Sequence, residues 1–114
     1  MEARATKRYL RGSPRKMRLV IDLIRGKSAA EAKAILQFST KRAATAAEMV
    51  LRSALANLTV KNDEIPVPDE RIVISEAFVN QGPTMKRVNP APMGRAYRVR
   101  KRSNHLTIVV SSLD

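Results

Sequence analysis

Residues 78–102 constrain the fold most strongly, because their sequence predicts a long β-hairpin without a core of its own. Extended stretches flank a centre rich in Pro and Gly, which is typical of a hairpin with a wide tip. A two-stranded ribbon that stands away from a domain is at best marginally stable in water. Residues 77–114 also contain seven Lys or Arg side chains and one acidic side chain. We therefore expect a polyanion outside the chain to hold this hairpin.

The basic charge is concentrated at the two ends of the chain. The formal net charge is +12. Residues 1–27 carry nine basic and two acidic side chains, whereas residues 28–76 carry six basic and seven acidic ones. A basic protein without a partner would spread its charge, but here a near-neutral middle separates two cationic ends. This distribution predicts binding to the phosphate backbone of a nucleic acid.

Length and composition narrow the class of protein further. A chain of 114 residues predicts a single domain, residues 1–114, with a core near the lower limit for independent folding. Cysteine is absent, so disulfides and thiol chemistry are excluded. No apolar run approaches the roughly 20 residues of a membrane span, and the first residues lack the apolar stretch of a secretory signal. We expect a soluble intracellular protein.

Three helices are predicted in the first half of the chain from their end signals. Ser13, followed by proline, begins the first helix, and Gly26 ends it. A capping box starting at Ser28 opens the second, and Thr40 caps the third, which spans about 41–61. Helical spacing predicts that the following residues are buried: Met17, Val20, Ile21, Ile24, Ala32, Ile35, Leu36, Ala43, Ala47, Val50, Ala54 and Leu58.

Three further segments of the chain are predicted to form strands. Residues 3–10 form a basic extended stretch, and residues 71–79 and 105–110 are rich in β-branched side chains. With the extended hairpin at about 80–102, the predicted fold class is α+β. It consists of a small body of three helices and an antiparallel sheet, from which a long β-hairpin protrudes.

The sequence gives little support for catalysis. His105 is the only histidine and lies in a predicted strand, where a structural or RNA-facing role is favoured. Four acidic residues near a Pro-containing loop, Asp63, Glu64, Asp69 and Glu70, match no calcium loop and offer no zinc ligands. There is no glycine-rich phosphate cradle and no nucleophile paired with a base. We predict no enzyme, no metal and no cofactor.

Three surfaces are candidates for binding nucleic acid. The first surrounds the start of the first helix, where backbone N–H groups add to the attraction for phosphate; it comprises Arg8, Arg11, Arg15, Lys16 and Arg18. The second is the ribbon, where Arg98, Arg100 and Arg102 alternate along one strand face. The third is the tip, where apolar residues accompany basic ones: Met85, Lys86, Arg87, Pro90, Pro92, Met93 and Arg95. Aromatic side chains are few, so we expect folded RNA or duplex backbone rather than extensive stacking on single strands.

Four motifs carry a resemblance to a known family. They are SPRKMRLV at 13–20 with DLIRGK at 22–27, GPTMKR at 82–87, GRA at 94–96, and KRSNHLTIVV at 101–110. Their residues, order and spacing resemble, over essentially the whole chain, the bacterial-type large-subunit ribosomal protein L twenty-two family.

The resemblance implies a structural constituent of the large ribosomal subunit, located in cytoplasmic or organellar ribosomes. Such a protein would bind 23S-type rRNA as a monomer, contact neighbouring ribosomal proteins and assist subunit assembly. Its hairpin would line the nascent-peptide exit tunnel near the macrolide-binding region and meet the nascent peptide at the tip. No membrane partner is implied.

The resemblance and the charge pattern together assign two sets of residues. The expected rRNA-binding residues are Arg8, Arg11, Arg15, Lys16, Arg18, Arg25, Lys27, Arg98, Arg100, Lys101, Arg102 and His105. The expected tunnel hairpin residues are Met85, Lys86, Arg87, Pro90, Ala91, Pro92, Met93, Gly94 and Arg95. Many relatives carry basic or polar residues where this chain has Ala91, Pro92 and Met93, so we expect a less cationic and stiffer tip.

Two other functions remain open at this point. A DNA-bending architectural protein would use a proline-tipped β-arm as a wedge in the minor groove, but it would also need an apolar dimer interface that the sequence does not suggest. A protein bound at a membrane surface would need a basic amphipathic helix with aromatic anchors. The predicted helices instead bury small aliphatic residues, and the long one is nearly neutral.

Overall fold

The computed structural model describes residues 1–63, 65, 67–90, 94 and 96–112, with residues 85, 87–90 and 96–100 described for their backbone. The elements in chain order are β1 (Glu2–Arg11), α1 (Pro14–Ile24), α2 (Ala29–Gln37), α3 (Ala43–Lys61), a 3-10 turn (Asp69–Arg71), β2 (Ile72–Gln81), β3 (Met85–Pro90), β4 (Ala96–Lys101) and β5 (Ser103–Ser112). The predicted α+β class is confirmed.

The body contains a three-stranded antiparallel sheet in the order β1-β5-β2. The central strand β5 pairs with both neighbours, because Ile108 lies opposite Ala5 on one side and Ala77 on the other. The register shifts between residues 7 and 10 of β1 and between residues 74 and 76 of β2. All three strands predicted for the body are present: β1 and β5 extend beyond both predicted bounds, whereas β2 begins one residue later than predicted and ends two residues later.

The three helices pack on one face of this sheet and form the core with it. The predicted face of α1 is confirmed, because Met17, Val20, Ile21 and Ile24 are all buried. The sheet contributes alternate residues, which include Leu106, Ile108 and Val110 of the central strand. Burying a side chain of this size stabilises the fold by roughly 1.5–3 kcal/mol, so α1 is a principal contributor to the core. Ile35 and Ala43, predicted to be buried, are only partly so.

Most helix ends follow the predicted signals. The Oγ of Ser13 accepts from the N–H of Arg15 at 3.2 Å, and the Oγ of Ser28 accepts from the N–H of Glu31 at 3.3 Å. Gly26 follows the C-cap of α1 with φ +79°, a conformation that glycine adopts without strain.

The predicted Thr40 cap of α3 is wrong. The helix begins at Ala43 after Arg42, which makes no side-chain capping bond. The reason lies one residue earlier, where the Oγ of Ser39 accepts from the N–H of Lys41 at 3.2 Å. This hydroxyl forms a local turn that competes with the helix and delays its start.

Side chains and a loop cover both edges of the sheet. At the edge of β1, Asn57 and Lys61 of α3 donate to the carbonyl oxygens of Arg4 and Glu2, at 2.9 and 2.8 Å. At the start of β2, the loop after α1 pairs with the strand, and the N–H of Gly26 donates to the carbonyl oxygen of Ile74 at 3.1 Å. Unpaired strand edges promote association between chains, so this cover keeps the body from pairing edge to edge.

The hairpin forms a separate two-stranded sheet. Strands β3 and β4 pair antiparallel from Met85 opposite Lys101 to Pro90 opposite Ala96. The radius of gyration is 17.1 Å and the longest dimension is 64 Å. A compact chain of this length would have a radius of gyration of about 13 Å, so the hairpin protrudes as predicted.

Candidate nucleic-acid interface

The two cationic ends of the chain meet at the base of the hairpin. Arg11 lies opposite Ser103 in the sheet, and the N–H of Gly12 donates to the carbonyl oxygen of Arg102 at 3.1 Å. The start of α1 follows directly after Gly12. The fold therefore brings the first predicted surface, at the start of α1, next to Arg102 of the second, which is the ribbon. We call the joint patch the root surface and define it as Arg11, Arg15, Lys16, Lys101 and Arg102.

The cations of the root surface have no side-chain partner among the residues that the structure describes. All five residues are exposed, and none of their side chains makes a hydrogen bond or ion pair with any residue that the structure describes. Ion pairs among the described residues lie outside the root surface, between Arg25 and Asp22, Lys33 and Asp69, and Arg52 and Glu48. Uncompensated charge in one patch creates a positive potential that attracts a polyanion.

The start of α1 offers fewer backbone donors than the sequence suggested. Pro14 has no N–H, and the N–H of Arg15 is already bonded to Ser13. The N–H of Lys16 is thus the one left in the first turn for a phosphate oxygen. Side-chain charge, more than the helix terminus, accounts for the attraction here.

Two of the predicted rRNA-binding arginines make side-chain bonds within the protein. The Nη2 of Arg18 donates to the carbonyl oxygen of Val79 at 3.1 Å. Arg25 donates to the carbonyl oxygen of Ala77 and to Asp22. A guanidinium has five N–H donors, so both side chains keep donors for RNA, and their predicted role stays a prediction.

The predicted residues at the far end of α1 are separated from the root surface. The helix has 11 residues, which corresponds to a length of about 16 Å. Arg25 and Lys27 follow its last turn, whereas Arg15 and Lys16 lie in its first turn. The structure therefore places the predicted cations of the body in two patches.

The hairpin strands bring like charges opposite one another. Lys86 is the Cα partner of Arg100, and Lys101 is the partner of Met85. Like charges directly opposite in a sheet are destabilising. Arg102 lies between β4 and β5, so the strand that carries Arg98 and Arg100 ends before it.

The tip of the hairpin is described in part. Gly94 is exposed with φ +73°, a left-handed conformation that glycine adopts without strain. The predicted tunnel residues Ala91, Pro92, Met93 and Arg95 lie outside the described residues.

A cleft lies where the hairpin leaves the body. Gln81, Thr84, Lys86 and Arg102 line a space of about 480 Å³. Its lining combines two cations with neutral polar side chains, and it adjoins the root surface through Arg102. This chemistry suits a phosphate group of a nucleic-acid backbone.

His105 makes contacts that the sequence did not reveal. Its Nδ1 accepts from the backbone N–H of Tyr9 at 3.0 Å, and its ring lies edge-to-face with that of Tyr9, with centroids 5.0 Å apart. Tyr9 is not among the predicted site residues, although it is 66% exposed. The two residues are 96 positions apart, so only the strand register could have indicated the pair.

Other kinds of site find no support in the described ranges. Within them, no three His, Cys, Asp or Glu side chains are grouped so that they could hold a metal ion. No helix in the same ranges combines the length and the apolar character needed to cross a bilayer.

Comparison with known proteins identifies the class. Residues 5–111 match the family of ribosomal proteins described as ribosomal protein L22p/L17e. The match covers nearly the whole chain, so the protein belongs to this family, and the predicted resemblance is confirmed. Members are structural ribosomal proteins, which agrees with the prediction that the chain is not an enzyme. Membership also supports the expected ribosomal location, which in bacteria is cytoplasmic.

Individual relatives are similar over their full length. The large ribosomal subunit protein uL22 of Chlorobium phaeobacteroides (strain BS1) is 54% identical over 114 residues, covering 100% of this chain and 97% of the relative. The protein of the same name from Chlorobium limicola (strain DSM 245 / NBRC 103803 / 6330) is 53% identical, with 99% and 96% covered. That of Solibacter usitatus (strain Ellin6076) is 50% identical, with 100% and 99% covered.

Proposed function

We propose that this protein is a structural component of the large ribosomal subunit that binds 23S-type rRNA, assists subunit assembly and lines the peptide exit tunnel with its hairpin. The observation that carries the proposal is the root surface, where five exposed cations converge without a partner among the described residues. Family membership favours rRNA over the DNA that an architectural protein would bend.

The body is proposed to bind first, through charge. The root surface and Arg8 supply cations at the junction of body and hairpin, and the neighbouring cleft holds a phosphate between Lys86 and Arg102. Phosphate contacts of this kind fix position and orientation without reading sequence. Arg18, Arg25 and Lys27 form a second contact patch along α1, with the donors that their internal bonds leave free.

The hairpin is proposed to depend on rRNA for its stability. It has two strands, and the pairing of Lys86 with Arg100 sets like charges against each other. Phosphates that surround both strands would remove this repulsion. Binding of Arg98, Arg100 and Lys101 to rRNA would therefore stabilise the hairpin. The contacts of the root surface, which hold rRNA at the body, are our basis for a role in assembly.

The length of the hairpin is suited to the tunnel. Strand β3 has six residues, from Met85 to Pro90, and at about 3.3 Å per residue they span roughly 20 Å towards the tip. The body can thus lie at the subunit surface while the tip reaches the nascent peptide. The tip residues proposed to line the passage are Met85, Lys86, Arg87, Pro90, Ala91, Pro92, Met93, Gly94 and Arg95.

The proposal is tested by incorporation into subunits in cells. We expect the tagged protein to sediment with the large subunit as one copy. Replacing Arg11, Arg15 and Arg102 by Gln should reduce incorporation, because three unpaired cations are lost. The matched control replaces Lys33, Lys41 and Arg52 by Gln, which removes the same charge from the near-neutral middle of the chain.

Two outcomes would contradict the proposal. Equal incorporation of the two triple variants would show that the root surface is not part of the rRNA-binding site. Recovery of the protein as a dimer on DNA, with none on large subunits, would support the architectural alternative.

A further inference from the structure

A tyrosine ring is exposed on the face of the sheet opposite the helices. The neighbours Thr6 and Thr107 share this face, where their hydroxyl oxygens lie 3.1 Å apart. Tyr9 lies further along β1, within the irregular stretch between residues 7 and 10. Tyr9 is 66% exposed, although an aromatic side chain gains most from burial.

The backbone at Tyr9 adopts a conformation that is costly for a tyrosine. Its φ is +59°, the left-handed region that residues with a Cβ rarely occupy. Such residues persist only where the surrounding structure holds them, and they cluster at binding sites. Here the strain coincides with the irregular stretch of β1, which directs the side chain away from the regular alternation of the strand.

His105 holds the tyrosine in this arrangement by two contacts. The Nδ1 of His105 accepts the backbone N–H of Tyr9 at 3.0 Å, and this hydrogen bond ties down the strained residue. The two rings meet at 90° with centroids 5.0 Å apart, a favourable aromatic geometry. Together these contacts fix the orientation of the tyrosine ring before any ligand binds.

The charges beside the ring indicate what it binds. Lys7, Arg8 and Arg11 flank Tyr9 in the strand, all exposed and with no side-chain partner in the described ranges. A fixed aromatic face surrounded by free cations suits a nucleobase whose neighbouring phosphates reach those cations.

We infer that Tyr9 stacks on one unpaired base of the rRNA and that His105 is a positioning residue for this stack. The inference rests on the proposed rRNA binding. It assigns His105 a role through Tyr9, because its Nδ1 is already occupied. A single stack is compatible with a binding surface whose affinity comes mainly from phosphate contacts.

Affinity for a 23S-type rRNA transcript tests the stack. Tyr9→Leu should weaken binding about 5- to 100-fold, the range for loss of one stacked base, whereas Tyr9→Phe should bind like the original protein. Neither substitution should change the salt dependence, because neither removes a charge. The matched control is Phe38→Leu, which alters an 82% exposed aromatic residue at the end of α2; it should bind normally.

Fluorescence tests the role of His105. The chain contains no tryptophan, so Tyr9→Trp introduces a single reporter that a stacked base should quench. Adding His105→Ala should reduce this quenching while the salt dependence of binding remains unchanged. A merely structural histidine would leave the quenching at saturation unaltered.

The results separate this inference from the proposed function. If the original protein binds rRNA in a salt-dependent way and the affinity of Tyr9→Leu lies within twofold of the original affinity, the stack is overturned. The proposed rRNA binding then remains intact. Absence of rRNA binding by the original protein would overturn both. Binding by Tyr9→Trp without quenching would also contradict the stack.

Discussion

Arg25 donates two hydrogen bonds to the carbonyl oxygen of Ala77, from Nε at 3.1 Å and from Nη2 at 2.6 Å. Ala77 lies in β2, an edge strand whose outer carbonyl groups have no neighbouring strand. Arg18 makes the same kind of bond to Val79, two residues further along. Helix α1 therefore closes one edge of the sheet with cations, in addition to contributing to the core.

Arg25→Ala should lower the free energy of unfolding by about 1–2 kcal/mol, because a charged donor and its carbonyl partner lose their bonds. Arg25→Lys should recover only part of this, since an ammonium cannot reproduce the two-pronged contact. Urea unfolding without RNA measures both effects. Arg15→Ala, in the first turn of α1 and without a side-chain bond in the described ranges, is the control and should change stability by less than about 0.5 kcal/mol. Equal stability of Arg25→Ala and Arg15→Ala would show that the Arg25 contact contributes nothing.

Gly82→Ala should disturb the base of the hairpin. A Cβ there would lie 2.5 Å from the Oγ of Ser103 and 3.2 Å from its carbonyl carbon. Relieving this overlap should cost roughly 1–3 kcal/mol and should move Arg102 relative to Arg11, which weakens rRNA binding. Urea unfolding and rRNA affinity measure the two effects, and Gly82→Ala with Ser103→Ala should recover part of the stability.

Gly26→Ala is the comparison for that experiment. It has open space around it but φ +79°, so it should cost about 1 kcal/mol of stability while leaving the position of Arg102 relative to Arg11 unchanged. If Gly82→Ala binds rRNA as tightly as the original protein does, the base of the hairpin does not align the root surface.

A structural feature could be predicted from this sequence when the residues that determine it lie close together in the chain. The α1 face and the Ser13 and Ser28 caps rest on residues within one or two helical turns, so spacing alone revealed them. The prediction that Thr40 caps α3 was wrong because Ser39, one position earlier, also carries a hydroxyl that can accept a backbone N–H. In the structure it is this hydroxyl that accepts from Lys41.

The contacts that the sequence missed join distant positions. Arg25 and Ala77 are 52 residues apart, and Tyr9 and His105 are 96 apart. Basic residues look alike in a sequence whether they bond a strand edge or remain free, so charge counting could not separate Arg25 from Arg11. The register of β1 and β2 on β5 makes that distinction.

Deleting residues 85–87 tests the tunnel hairpin. The deletion removes an odd number of positions from β3, whose register runs from Met85 opposite Lys101. Side chains beyond the cut therefore exchange faces, and the tip is redirected. Because the core lies in the body, we expect subunits to assemble normally while macrolide susceptibility changes. Sedimentation profiles and growth inhibition by a macrolide measure the two effects.

The two ways in which this deletion could fail have different meanings. Exclusion of the shortened protein from subunits would make the tip an assembly element. Normal assembly with an unchanged drug response would place the tip away from the tunnel wall.

The most direct test of phosphate-driven rRNA binding is the salt dependence of affinity for a 23S-type rRNA transcript. If the cationic ends neutralise about eight phosphates, log K should fall against log salt concentration with a slope of roughly −6 to −7. The slope should become shallower by about 2–3 in the triple variant that has Gln at Arg11, Arg15 and Arg102. It should not change in the control variant that has Gln at Lys33, Lys41 and Arg52. A slope shallower than about −2 for the original protein would contradict binding driven by these cations.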